Sequence, residues 1–100
     1  MATIPGLAYF QARIGHRFLL KTAADEKLTM TLEDVTEPAA RPVGFECFSL
    51  LLGGPQDTFL PQAIYELEVD ATSMELFLVP AGKDEKGFFY DVTINRKLNS

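Results

Sequence analysis

Ile64–Asp70, IYELEVD, and Met74–Val79, MELFLV, decide how this chain is read. In both stretches the apolar residues fall on every second position, which is the period of a strand with one buried face. Pairing Val69 with Met74 sets Leu67 opposite Leu76 and Tyr65 opposite Leu78, an unbroken apolar face. The same register sets Glu68 across from Glu75. A hairpin of this kind needs more strands to cover it, so the rest of the chain is read for the same period.

Upstream, Phe45–Leu52 (FECFSLLL) places Phe48, Leu50 and Leu52 on one side, with Phe45, Cys47, Ser49 and Leu51 on the other. Leu28–Val35 alternates with Leu28, Met30 and Leu32 inward and Thr29, Thr31 and Glu33 outward. Arg17–Thr22 carries Phe18 and Leu20 on one face, and the short polar AADEK links it to the next strand as a hairpin loop. Pro38 and Pro42 bar a ladder from the corner TEPAARPVG. Downstream, Phe88–Ile94 brings Phe88, Tyr90, Val92 and Ile94 together after the charged loop PAGKDEKG. At the other end Leu7, Phe10 and Ile14 recur at helical spacing, with Pro5 suited to the first helical position and Gly15 to a left-handed stop.

These segments predict a mainly β protein: about six antiparallel strands forming a small barrel or sandwich, with one short N-terminal helix that plugs one end. The connections are too short for the crossovers that parallel pairing needs. The chain of 100 residues reads as a single domain, 1–100, with the helix over 5–15, the β body over 17–95 and a tail over 96–100. With 47% hydrophobic residues it can build its own core.

Composition excludes several function classes. A formal charge of −5 and a pI near 4.7, with no basic stripe, argue against nucleic-acid binding. No apolar run reaches the length of a membrane helix, so no membrane insertion is expected, and the start lacks the pattern of a signal peptide. A protein cytoplasmic as synthesised is the expectation, with incorporation into an extracellular assembly open to it.

No catalytic, cofactor or metal constellation is legible. The one histidine, His16, stands between Arg13 and Arg17 at the predicted helix end, where cations complement the helix dipole. One His and the distant, single Cys47 do not make a zinc site, and Cys47 lies in an apolar strand without a base. The corner Gly53-Gly54-Pro55 invites a phosphate-cradle reading. Pro55 removes a donor, no helix follows and Asp57 would repel an anion, so it reads as a turn made by positive φ at Gly53 and Gly54. Phe59 and Leu60 then fold back as a lid over the barrel mouth.

The outer faces carry the remaining signal. With Leu67 and Leu76 inward, Ile64, Phe77 and Val79 point outward beside Glu66, Glu68 and Glu75. Either a second layer of the same chain covers them or a partner does. Ile64, Glu66, Glu68, Glu75, Phe77, Val79, Phe59 and Leu60 are therefore the candidate interface, with protein partners or self-association expected.

The motif order is similar to that of a family of short, uncharacterised bacterial domains. The matching residues are Phe48, Ser49 and Leu50, then Gly54 and Pro55, then Leu60, Gln62 and Tyr65, then Leu76 through Pro80, and finally Tyr90 and Asn95; Phe10, Gly15 and Phe18 also fit. The resemblance implies no catalytic residue. Its loose association with phage-tail-collar-like genes implies a structural or assembly role. The leading expectation is thus a non-enzymatic protein-protein interaction or structural domain, with a phage-tail-like or surface assembly as the setting that the resemblance implies. The alternatives are a small apolar-ligand-binding β-barrel, with Phe59 and Leu60 gating a mouth lined by Tyr65 and Tyr90, and an acidic inhibitor of a basic protein target.

Overall fold

The computed structural model describes residues 5–22, 24–39 and 43–97. A helix, α1 (Leu7–Gln11), precedes six strands: β1 (Arg17–Lys21), β2 (Lys27–Thr36), β3 (Phe45–Gly53), β4 (Ala63–Val69), β5 (Thr72–Lys83) and β6 (Phe88–Lys97). The strands form a closed barrel in the order β1-β2-β3-β6-β5-β4, with every neighbouring pair antiparallel. Closure decides the barrel-or-sandwich question in favour of the barrel, with β1 paired to β2 on one side and to β4 on the other.

The predicted inward rows line the interior. Phe18 and Leu20, Met30 and Leu32, Phe48, Leu50 and Leu52, Leu67 and Val69, Met74, Leu76 and Leu78, and Tyr90, Val92 and Ile94 are all buried. Leu28, Val35 and Phe88 pack on this core from half-buried positions. Phe10 of α1 is completely buried, stacks on Phe18 and meets the Phe48 ring at a tilt, plugging one end.

Several boundaries differ from expectation. The helix is shorter at both ends, by two residues at its start and four at its finish: Gly6 is its N-cap, Pro5 lies outside it, and the chain runs in turns from Ala12 to Gly15. Only Phe10 of the expected apolar face is fully buried, while Leu7 is half-buried and Ile14 is exposed. Gly15 does adopt positive φ, at 89°. β5 continues through Pro80–Lys83, which were expected in a loop, and β6 takes in Arg96 and Lys97, which were expected in a tail. Pro38 lies beyond the end of β2, and Pro42 falls outside the described residues.

The β4–β5 hairpin is tighter than predicted. Asp70 and Ala71 both have positive φ, 50° and 64°, the signature of a two-residue turn that follows the twist of its strands. Val69 therefore pairs with Thr72, Leu67 with Met74, and Glu66 rather than Glu68 stands across from Glu75. A shift of two residues preserves the faces, so the apolar row survives the change. Two bulges reset the alternation elsewhere. Glu33 is the extra residue between the pairs Leu32↔Leu52 and Asp34↔Leu51, which turns Val35 inward and Asp34 out. Ala81 plays the same part in β5, between Pro80↔Tyr90 and Gly82↔Phe89.

The Gly-Gly-Pro corner works by close approach, not by positive φ. Gly53 is the last residue of β3, paired with Thr31 and Phe89, and neither it nor Gly54 has a left-handed backbone. A Cβ on Gly54 would stand 3.1 Å from the Met30 sulfur and 3.2 Å from the Tyr90 ring. Its N–H donates to the Phe88 carbonyl at 2.8 Å. Gly87, with φ of 154°, passes so near the Gly54 carbonyl that any Cβ there would overlap it. Gly87→Ala is therefore expected to cost about 2–3 kcal/mol of stability in urea unfolding. Gly82→Ala, with open space around its Cβ, serves as the control and should fall within about 0.5 kcal/mol.

Candidate functional site

At the end opposite α1, Leu60 is buried and plugs the mouth, and its N–H donates to the Tyr90 hydroxyl at 2.9 Å. Phe59 does not cap the interior. It lies outside at 56% exposure, edge-on to Phe88 with ring centroids 5.3 Å apart. Tyr65 donates its hydroxyl to the Pro61 carbonyl at 2.6 Å, tying the incoming loop to β4. Both phenols are thus spent on internal bonds.

Burial pushes the Tyr90 pKa up, with the Leu60 N–H offsetting part of the rise; burial and then the nearby Tyr90 push the Tyr65 pKa up. The folded state holds these protons more tightly than an unfolded chain, whose tyrosines titrate near pH 10. Their contribution is intact below about pH 10 and is lost as pH rises through the folded pKa values. A Tyr65→Phe/Tyr90→Phe variant should show a flatter alkaline decline in urea midpoint, while losing about 1–2 kcal/mol at neutral pH from the unpaired Leu60 N–H.

The helix-end cations do other work than expected. Arg13 donates to Asp70 and to the Tyr9 carbonyl, both at 2.9 Å, and lies 3.6 Å over the Tyr9 ring. It therefore straps α1 to the β4–β5 turn. At the start of the helix, Glu46 accepts from the Leu7 N–H at 2.9 Å and from Arg96 at 2.8 Å. His16 is exposed, its backbone N–H donating to the Arg13 carbonyl. Cys47 is half-buried on the outer side of β3, opposite Asn95. Among the described residues no group of three His, Cys, Asp or Glu could hold a metal, and no helix is long and apolar enough to cross a membrane.

The Gly-Gly-Pro corner borders a cleft of about 330 Å³ on the outer wall. Because Gly53 has no side chain, the row Thr31–Gly53–Phe89 leaves a notch. The structure brings Lys86 to this cleft, a residue that sequence proximity could not supply. The bulged Glu33 nevertheless covers the notch floor, its Cγ 3.4 Å from where a Gly53 Cβ would stand, and the Gly54 N–H is already engaged. The corner is therefore not a backbone cradle for an anion.

The predicted outer face is assembled largely as read. Ile64 and Phe77 are direct cross-strand partners, exposed by 64% and 46%, and Val79 is half-buried two residues along. A single-layered barrel puts no second sheet over them. Glu66 and Glu75 face each other beside this pair, with Lys21 across from Glu66 on β1. Glu68 is placed differently from expectation, between Leu19 and Ser73. Leu19 and Phe45 are further exposed apolar residues that the sequence reading did not single out. Their strands alternate, but the sense of an isolated outward apolar residue is set only by its neighbours.

A family model described as Domain of unknown function (DUF6916) matches residues 5–94. The chain belongs to that family. No curated protein and no solved structure matches it.

If Ile64 and Phe77 are surface rather than core, replacing both by Ser should change unfolding free energy by no more than about 1 kcal/mol. Loss of a buried pair of that size would cost several times more. Urea titration of the double variant reads the difference.

Proposed function

We propose that this domain is a non-enzymatic protein-contact module whose β4–β5 outer face, centred on Ile64 and Phe77, meets another protein. The observation that carries the reading is the pairing of two large apolar side chains in solvent on a barrel whose inward rows already fill its interior. Small barrels pack their lumen with side chains, so recognition falls to the outer wall and the loops. The plugged mouth and internally bonded tyrosines favour contact over the apolar-ligand alternative. Lys21 and Lys27 beside Glu66 and Glu68 break up the acidic surface that an electrostatic inhibitor would use. The sequence resemblance supports an assembly setting, phage-tail-like or at a surface, for this contact.

A photo-crosslinking amino acid placed at position 77 and expressed in the native host tests this reading. It should trap one protein reproducibly, by mass spectrometry, where the same group at the exposed Asp57 traps none. Trapping nothing, or the same proteins from both positions, overturns it.

A further inference from the structure

We propose that the β5–β6 seam receives an extended segment of the partner as an added strand on the free edge of β5, and that this segment sets a basic residue between apolar ones. The inference rests on the protein-contact reading above and gives it a place and a chemistry.

Backbone direction locates the edge. In a two-residue hairpin the closing pair, here Val69↔Thr72, is hydrogen-bonded, so Thr72, Met74, Leu76 and Leu78 aim their backbone groups at β4. Ser73, Glu75, Phe77 and Val79 consequently aim theirs at β6. Pro80 gives the same phase independently, because it has no N–H and its pair with Tyr90 must be a non-bonded one. The β5–β6 ladder nevertheless runs only from Val79↔Asp91 to Lys83↔Phe88. Ser73, Glu75 and Phe77 on β5 pair only with β4, and Thr93, Asn95 and Lys97 on β6 only with β3, so none has a partner across this seam.

Two features flank the seam. The Ala81 bulge, a source of added twist, lies two residues from the last pair, Val79↔Asp91. At the far end α1 is strapped to Asp70 on one side and Glu46 on the other, with Phe10 wedged into the interior between them. The gap opens as a cleft of about 310 Å³ lined by Ile64, Glu75, Phe77, Thr93 and Asn95. An unpaired strand edge is a template for another strand, and proteins ordinarily blunt one with proline, a bulge or a cover. Here the proline and the bulge both sit in the closed half.

Side chains define the occupant. On a strand added to β5, outward residues would stand beside Phe77 and Glu75, with Ile64 and Glu66 in the next row. An apolar residue suits the first position and a cation the second. Glu66 and Glu75 are directly opposed like charges, which destabilises the free barrel slightly; Lys21 stands across from Glu66 on β1, so Glu75 is the carboxylate that a bound cation would meet. A second copy of this chain is the wrong partner, because it would bring the same glutamates together on a molecule of net charge −5. Strand addition of this kind takes affinity from main-chain bonds and selectivity from alternate side chains.

Amide hydrogen exchange by NMR tests the seam. In the free domain the Glu75 and Phe77 amides should exchange quickly while Leu76 and Leu78, bonded to β4, are protected. As a probe, the acetylated peptide Thr-Val-Thr-Lys-Thr-Val-Thr should slow the Glu75 and Phe77 amides by about tenfold or more at saturation. Its Lys→Glu analogue should bind about tenfold more weakly, and a form N-methylated at its bonding amides should not bind. Protection of Glu75 and Phe77 equal to that of Leu76 in the free domain, no slowing by the peptide, or equal binding of the Lys and Glu forms overturns the proposal. Crosslinking at position 77 without peptide protection leaves the contact reading standing and removes the seam. Peptide protection without crosslinking removes the contact reading instead.

Discussion

Pairing between β1 and β4 closes the sheet, and the other features of this domain depend on that closure. β1 is only five residues long, yet it bonds to β2 through Arg17–Lys21 and to β4 through Leu19–Lys21. Its two inward residues, Phe18 and Leu20, are completely buried against Met30, Leu28 and Leu67 across the seams. Without β1, strands β2 and β4 would each present an unpaired edge and the inward row would be open to water on one side. Closure also fixes the interior as a narrow lumen, which Phe10 seals at one end and Leu60 at the other.

A filled lumen moves chemistry to the outside. Tyr90, the largest buried side chain with a polar atom, uses that atom to hold the Leu60 loop. The glycines of the Gly53-Gly54 corner serve the approach of β6 and its preceding loop, where Gly87 meets the Gly54 carbonyl. Arg13, Glu46 and Arg96, which in isolation resemble functional charges, fasten the helix to the barrel end. What remains uncommitted lies on the outer wall of β4, β5 and β6: the Ile64–Phe77 pair, two opposed glutamates and a run of backbone groups. Recognition through main-chain groups would need no constellation of special side chains.

Much of the architecture was legible because strand alternation is a local property. Phe48, Leu50 and Leu52, or Tyr90, Val92 and Ile94, declare their inward face through spacing alone, and the outward assignment of Ile64 and Phe77 follows from the same parity. Register was less legible. Moving Val69 from Met74 to Thr72 keeps every face but exchanges Glu68 for Glu66 opposite Glu75, and the choice rests on Asp70 and Ala71 adopting a left-handed backbone. Asp and Ala at those positions do not announce such a turn as Asn-Gly would. The bulges at Glu33 and Ala81 were hidden for a related reason, since an extra residue is visible only against the strand beside it.

The sequence by itself determined the β character, the inward rows and a short N-terminal helix, because each follows from residue type and nearest-neighbour spacing. Tertiary structure alone decided that the sheet closes, that Ile64 and Phe77 stay in solvent, and that the β5–β6 ladder ends at Val79 and Asp91. Those outcomes depend on backbone direction and strand divergence between segments far apart in the chain, which side-chain order does not encode.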